Sequence, residues 1–181
     1  MTEMIQVRLS GFGGQGIILA GLLLGQAGVI DGKYIAGSDS YGAQARGSGC
    51  KSEIVFSDGP IDFPHLITSD VLVAMSQGAY QAYCKDVKEG GLIFYDQRLV
   101  TPEGGLNVKQ RGVAATEISI KKLKNKQVAN IVLLGLVVET TKIVSAKAIQ
   151  KAIALHVVER FRMLNLKALR AGMELGKKID V

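Results

Sequence analysis

The chain predicts an α/β domain built on a mostly parallel sheet with at least one antiparallel edge strand, and three observations carry that prediction. The glycine run Gly11-Phe12-Gly13-Gly14-Gln15-Gly16 separates the short apolar run Met4–Leu9 from the longer apolar segment Ile17–Ile30, the pattern of strand, tight turn and helix. Short Val- and Ile-rich runs then alternate with segments of helical length. Hydrophobic residues make up 48% of the chain while aromatics supply 6% and Trp is absent, so the core must come from Val, Ile, Leu and Ala, as in parallel sheets covered by helices. These features describe one Rossmann-like three-layer domain over the 181 residues.

Taken in order, strands are expected at about 5–9, 34–37, 50–57, 70–75 and 92–96, with further strands at 98–108 and 113–117. Helices are expected at about 15–30, 78–88, 127–140, 145–160 and 165–177. Residues 51–56 alternate polar and apolar, which suggests an edge strand or a one-sided pair grafted onto the parallel set. Asp86-Val87-Lys88-Glu89 reads as a charged helix end, and Gly90-Gly91 as the turn into the next strand. Ile17–Ile30 is too short for a bilayer, and its small residues at 20, 21, 25 and 28 suit a helix lying close against the sheet.

The glycine turn is the first candidate site. A helix N-terminus presents N–H groups without partners and the positive end of the helix dipole, and glycines clear the approach for an anion. Gly11, Gly13 and Gly16 satisfy the dinucleotide spacing, with Asp39 where an acidic ribose ligand is expected. The same glycines would also serve close helix–sheet packing alone. A second candidate is Ser40-Tyr41-Gly42-Ala43-Gln44-Ala45-Arg46-Gly47-Ser48-Gly49, a composition that fits neither helix nor strand. Arg46 offers a forked donor for phosphate or carboxylate, Gln44 a donor and acceptor, and Tyr41 a ring and a hydroxyl. A solvated surface turn is the alternative reading of that loop. If it leaves a strand at the sheet's carboxyl edge, it faces the same crevice as the glycine turn.

In combination, GFGGQG, SYGAQARGSG, Phe56-Ser57-Asp58-Gly59-Pro60-Ile61, Ser69-Asp70-Val71-Leu72-Val73-Ala74-Met75 and Asn130-Ile131-Val132-Leu133-Leu134-Gly135 resemble the gamma subunit of 2-oxoacid:ferredoxin oxidoreductases, from about residue 5 to about 172. Ala43 and Gln44 stand where that family usually has proline and glutamate, and Ser48 replaces the last glycine of its Arg-Gly-Gly. The resemblance implies a complex that oxidatively decarboxylates a 2-oxoacid on thiamine diphosphate, passes electrons through iron–sulfur clusters to ferredoxin and acylates coenzyme A. It places those cofactors on alpha, beta or ferredoxin-like delta subunits, so this chain alone would hold none. 2-Oxoglutarate is the favoured substrate, with pyruvate, branched-chain and aryl 2-oxoacids as alternatives. On this reading Gly11, Gly13, Gly14, Gln15, Gly16, Ser40, Tyr41, Gly42, Gln44, Arg46 and Gly47 form a phosphate-binding and docking surface, without a catalytic residue or a metal. A stand-alone dinucleotide-binding redox module and a purely structural assembly subunit remain open beside it.

The rest of the sequence limits other functions. Cys50 and Cys84, with no CxxC, read as reduced, partly buried thiols, and two cysteines cannot hold an iron–sulfur cluster. The net charge of +6 and pI near 9.3 gather at Lys121–Lys126 and Lys177-Lys178, without a nucleic-acid-binding signature, which favours solvated faces, an acidic partner or a polyanionic cofactor. His65 is expected in a loop and His156 on a packed helix face. Asp58 and Asp62 flank Gly59-Pro60 as a turn pair, and no serine sits in a GxSxG setting. The amino terminus lacks a basic signal region, which suggests a cytoplasmic protein. A chain whose site is completed by partners is expected to form a homodimer when isolated, hiding apolar surface that the complex would cover.

Overall fold

The computed structural model describes residues 4–42 and 48–179. Six strands form one mixed sheet: β1 (Met4–Phe12), β2 (Tyr34–Tyr41), β3 (Gly49–Ser57), β4 (Ser69–Ala74), β5 (Val87–Asp96) and β6 (Lys109–Val113), in the spatial order β2-β3-β1-β4-β5-β6. The β1–β4, β4–β5 and β5–β6 pairs are parallel, and β3 runs antiparallel to both β1 and β2. The grafted antiparallel pair is therefore the β2–β3 hairpin, with β3 one place in from the edge. Residues 52–57 of β3 are buried, because Gly21 of the first helix rests on Ser52 while Glu53 turns to the opposite face.

Six helices flank the sheet: α1 (Ile17–Ile30), α2 (Gln77–Tyr83), α3 (Ala115–Lys121), α4 (Ala129–Thr141), α5 (Ala146–His156) and α6 (Glu159–Gly176). A core of Val, Ile, Leu and Ala joins one sheet face to α1, α4, α5 and α6, and a smaller cluster around Leu72, Tyr80, Ile93 and Val100 joins the other face to α2. α4 is apolar all round and buried from Ala129 to Val138, as expected of a helix caught between a sheet and an outer helix, here α6. None of the described helices is long and apolar enough to cross a membrane.

Several expected boundaries are corrected. The helix expected over 78–88 stops at Tyr83, passes through a 3₁₀ turn at Cys84–Asp86 and becomes strand at Val87. Gly90-Gly91 lies inside β5 as a bulge rather than before a strand: Ser69 pairs with Val87 but Val71 with Leu92, and Gly90 has φ +75. Asp86-Val87-Lys88-Glu89 is thus no helix end; Lys88 binds the Asp70 carboxylate at 2.7 Å instead. Residues 98–108 form a loop, and Val113 ends β6. The strand expected over 113–117 gives way to α3, whose Thr116 N–H donates to the buried Asp96 carboxylate at 2.7 Å. The last two helices divide at Val157-Val158, whose ψ angles of 133 and 135 leave the helical range, rather than near 160–165; two adjacent β-branched residues favour that break.

Three buried acids define an alkaline limit. Burial pushes the Cys50 and Cys84 thiols above their ordinary 9.0 and the Tyr80 hydroxyl above 10.0. A raised folded pKa gives stability that is fully present below the unfolded value and lost as pH climbs through the folded one. Equilibrium unfolding in urea should therefore show constant midpoints from these groups up to pH 9.0 and a decline above it; a midpoint that rises between pH 9.0 and 10.0 would contradict the assignment.

Candidate functional site

The sheet's order reverses between β1 and β4: the chain leaves β1 through α1 toward β2 on one side, while β4 and its successors extend to the other. Crevices form outside the carboxyl ends of strands at such a point. The glycine turn sits there, beside Met75, whose N–H donates to the Ser10 carbonyl at 2.8 Å.

The turn's residues divide into braces and open positions. Gln15 Oε1 accepts the Phe12 N–H and its Nε2 donates to the Met75 carbonyl, both at 2.7 Å, so this side chain ties the turn to β4. Gly11 makes room for it, since a Cβ there would lie 2.4 Å from Gln15 Oε1. The Gly13 N–H donates to the Ser48 carbonyl at 2.9 Å, which links the turn to the β2–β3 loop. Gly14 and Gly16 have φ of +93 and +73, and among the described residues neither N–H has a backbone acceptor. Gly16 also caps α1, with Asn130 Nδ2 donating to its carbonyl at 2.8 Å. The buried Asn130 thereby joins the α4 N-terminus to the α1 N-terminus, which gives the Asn-apolar-Leu-Gly motif its first physical role. Replacing Gly16 with alanine combines a left-handed backbone with a Cβ 2.4 Å from Asn130 Nδ2. A loss of about 2 kcal/mol is expected in urea unfolding of the variant; an unchanged midpoint would overturn that account.

The second motif reaches the same edge. Tyr41 pairs with Cys50, and Cys50 with Gly11, so the described ends of the second motif lie beside the glycine turn. Gly42 N–H donates to the Gly49 carbonyl at 3.2 Å, and Ser40 and Tyr41 are exposed, Tyr41 at 74%. Gln44, Arg46 and Gly47 lie outside the described residues.

Two clefts open on either side of Gly14. The wider, about 640 Å³, is lined by Gly13, Gly14, Gln15, Met75, Thr116 and Lys126, among others. Lys126 supplies a cation on the wall facing the glycine turn. The narrower, about 380 Å³, runs between Gly16, Leu19, Asn130, His156, Phe161 and Asn165. His156 is exposed on its rim rather than packed on a helix face, because α5 ends there. His65 lies in a loop as expected, its ring edge-on to Phe63. Asp39 is not brought to the glycine turn: it is exposed beside Gly21, Leu22 and Gly25 on the flank of α1, with β3 between its strand and β1. Cys50 and Cys84 are both free and buried, and Asp58 pairs with Lys33 at 3.3 Å.

One polar cluster escaped the sequence reading. Arg8, 3% exposed, binds Glu53 at 2.7 Å and Asp86 at 3.2 Å and lies over the Tyr83 ring. The available signal was Arg8 within the apolar stretch of the first strand and Glu53 beside the Ile54-Val55-Phe56 run of the third.

An α/β subunit domain with an anion-compatible crevice at its switch point is the class that this fold and site define. The chain belongs to the pyruvate ferredoxin/flavodoxin oxidoreductase family, whose model matches residues 6–175, and within it to the gamma subunits of 2-oxoacid:ferredoxin oxidoreductases. It is 45% identical to a 2-oxoglutarate synthase subunit KorC of Methanocaldococcus jannaschii, over 96% of this chain and 95% of that one. The KorC subunit of Methanothermobacter marburgensis is 38% identical over 94% of this chain and 95% of its own length. Among solved structures, the gamma subunit of a keto/oxoacid ferredoxin oxidoreductase from Geobacter sulfurreducens superposes with a TM-score of 0.86 at 38% identity, covering 97% of this chain and 99% of that one.

Proposed function

We propose that this chain serves a complex that converts 2-oxoglutarate to succinyl-coenzyme A with ferredoxin as electron acceptor, and that it presents coenzyme A phosphates to the site held by the larger subunits. The full-length likeness to KorC subunits supports the substrate. The observation that carries the chain's own role is the pair of N–H groups at Gly14 and Gly16, at the turn into α1, where Gly14 shares a cleft with Lys126.

The residues fit an anion. Left-handed glycines turn N–H groups outward with no Cβ in the approach, and Lys126 supplies a point charge. Coenzyme A, when bound, supplies the thiol that takes the acyl group. This chain's residues would hold its phosphates and orient it. Arg46 is the counter-charge expected from the second loop, and Ser40, Tyr41, Gly42, Gln44 and Gly47 are the other residues of that motif assigned to the same surface. Thiamine diphosphate and iron–sulfur clusters belong to the alpha, beta and delta partners on this reading, and the complex works in the cytoplasm.

The test is coenzyme A kinetics in the reconstituted complex. Lys126→Ala and Arg46→Ala should each raise the KM for coenzyme A roughly tenfold, the loss of one charged hydrogen bond, with the subunits still associated. Unchanged KM in both variants would overturn the phosphate role. The internal bonds of Gly13 and Gln15 favour a second reading for those two residues, in which they only position the turn for docking. Gln15→Ala should then weaken subunit association more than it changes the KM for coenzyme A.

A further inference from the structure

The net charge of +6 is not spread over the molecule. Residues 142–181 hold nine of the 22 Lys and Arg residues but only three of the 16 Asp and Glu residues, whereas residues 1–141 hold thirteen of each kind. Lys142 caps α4 and pairs with Glu139, so five of the six excess charges lie beyond it, in the stretch that forms the outer helical layer of α5 and α6.

That layer is a face. Arg160, Lys167, Arg170 and Lys177 follow one another at spacings of seven, three and seven, which aligns them along one stripe of α6, and all four are exposed. Lys147 and Lys151 are exposed one turn apart on α5. Among the described residues none of these six forms an ion pair of the kind that Lys33, Lys51, Lys88 and Lys121 form elsewhere. Met163, 66% exposed, lies within the stripe.

Glu174, between Arg170 and Lys177, is the one acidic residue in the stripe; an array so dominated by one sign still costs stability through self-repulsion, so internal folding does not explain it. Lysine-rich surface is also poor material for the core of a permanent interface, from which lysine is depleted. It suits encounter: a complementary field speeds association and leaves the complex easy to dissociate.

We propose that the α5/α6 face steers and transiently docks an acidic electron-carrier protein. The inference rests on the oxidoreductase reading above, whose reaction releases two electrons and requires such a carrier to arrive and leave in every turnover. The face acts on encounter and carries no chemistry itself.

The experiment uses the reconstituted complex with 2-oxoglutarate and coenzyme A, and compares two acceptors, an acidic clostridial-type ferredoxin and the small dye methyl viologen. Lys167→Glu with Arg170→Glu should lower kcat/KM for ferredoxin by about tenfold at low salt and flatten its salt dependence, with the viologen rate unchanged. Lys147→Glu with Lys151→Glu should act in the same direction and covers the case in which the α6 pair disturbs folding. Unchanged ferredoxin kinetics in both pairs would overturn the proposal. So would loss of the complex itself, which would make the face a permanent subunit contact, or loss of duplex-DNA binding with ferredoxin kinetics intact. Failure of the wild-type complex to reduce even viologen would instead remove the oxidoreductase reading, and the docking face with it.

Discussion

Replacing Gly172 with alanine should destabilise the chain by about 3 kcal/mol, a fall in Tm of roughly 6–12 °C for a domain of this size. A Cβ at Gly172 would lie 1.9 Å from the Val132 carbonyl oxygen and 2.9 Å from Leu136 N, both on α4. The contact is reciprocal, for a Cβ at Gly135 would lie 2.2 Å from the Leu169 carbonyl oxygen on α6. Every nearby atom is backbone, so no rotamer change relieves the clash and the two helices must separate. Separation loosens the packing around the buried Val132, Leu136, Ala168 and Leu169. Gly25→Ala is the control. Its Cβ would meet nothing closer than Ile35 Cγ2 at 3.5 Å, so the gain in helix propensity should stabilise by about 0.5–1 kcal/mol. Thermal unfolding followed by circular dichroism reads both, and equal effects at the two glycines would refute the packing account.

The same contact shows where the sequence speaks and where it falls silent. The Asn-apolar-Leu-Gly motif was visible as a pattern, yet its reasons lie far away along the chain: Asn130 reaches Gly16, and Gly135 admits α6. The β1–α1 unit was legible because strand, turn and helix are contiguous and each has its own period. The hairpin's place in the sheet was only partly legible. Alternation in 51–56 pointed to a pair grafted onto the parallel set, but full burial of β3 depends on α1 crossing it. Residues 87–91 misled because a charged run ending in two glycines resembles a helix stop. Pairing of Val87 with Ser69 and of Lys88 with Asp70 decides for strand. Gln15 was legible as part of the site motif but not as its brace, a role that exists only once β4 lies beside β1. Lys126 was read within a solvated basic run. Its position in the crevice follows from a 3₁₀ turn at Lys126–Val128 that leads the chain into α4.

Arg8→Met should cost about 3 kcal/mol, because removing one partner of a buried ion pair leaves the other charge desolvated. Glu53, 7% exposed, would keep only Lys51, at 3.0 Å, as a partner. Asp86 matters less, since its half-exposed side chain regains water when the arginine goes. Urea unfolding measures the loss, and Arg8→Met combined with Glu53→Leu should recover part of it by removing both buried charges, leaving Lys51 to turn to solvent. If the double variant is less stable than the single, the pair contributes more than its burial costs, and the desolvation argument fails. Arg8 and Glu53 are direct cross-strand partners in the β1–β3 ladder. A slip of one residue would set Arg8 against Ser52 or Ile54 and turn Glu53 away from it, toward the apolar face beneath α1. The double variant should therefore approach wild-type stability yet lose uniqueness of register, seen as broadened amide resonances for β2 and β3. The glycine turn would feel that change directly, because Gly13 donates its N–H to the Ser48 carbonyl just before β3.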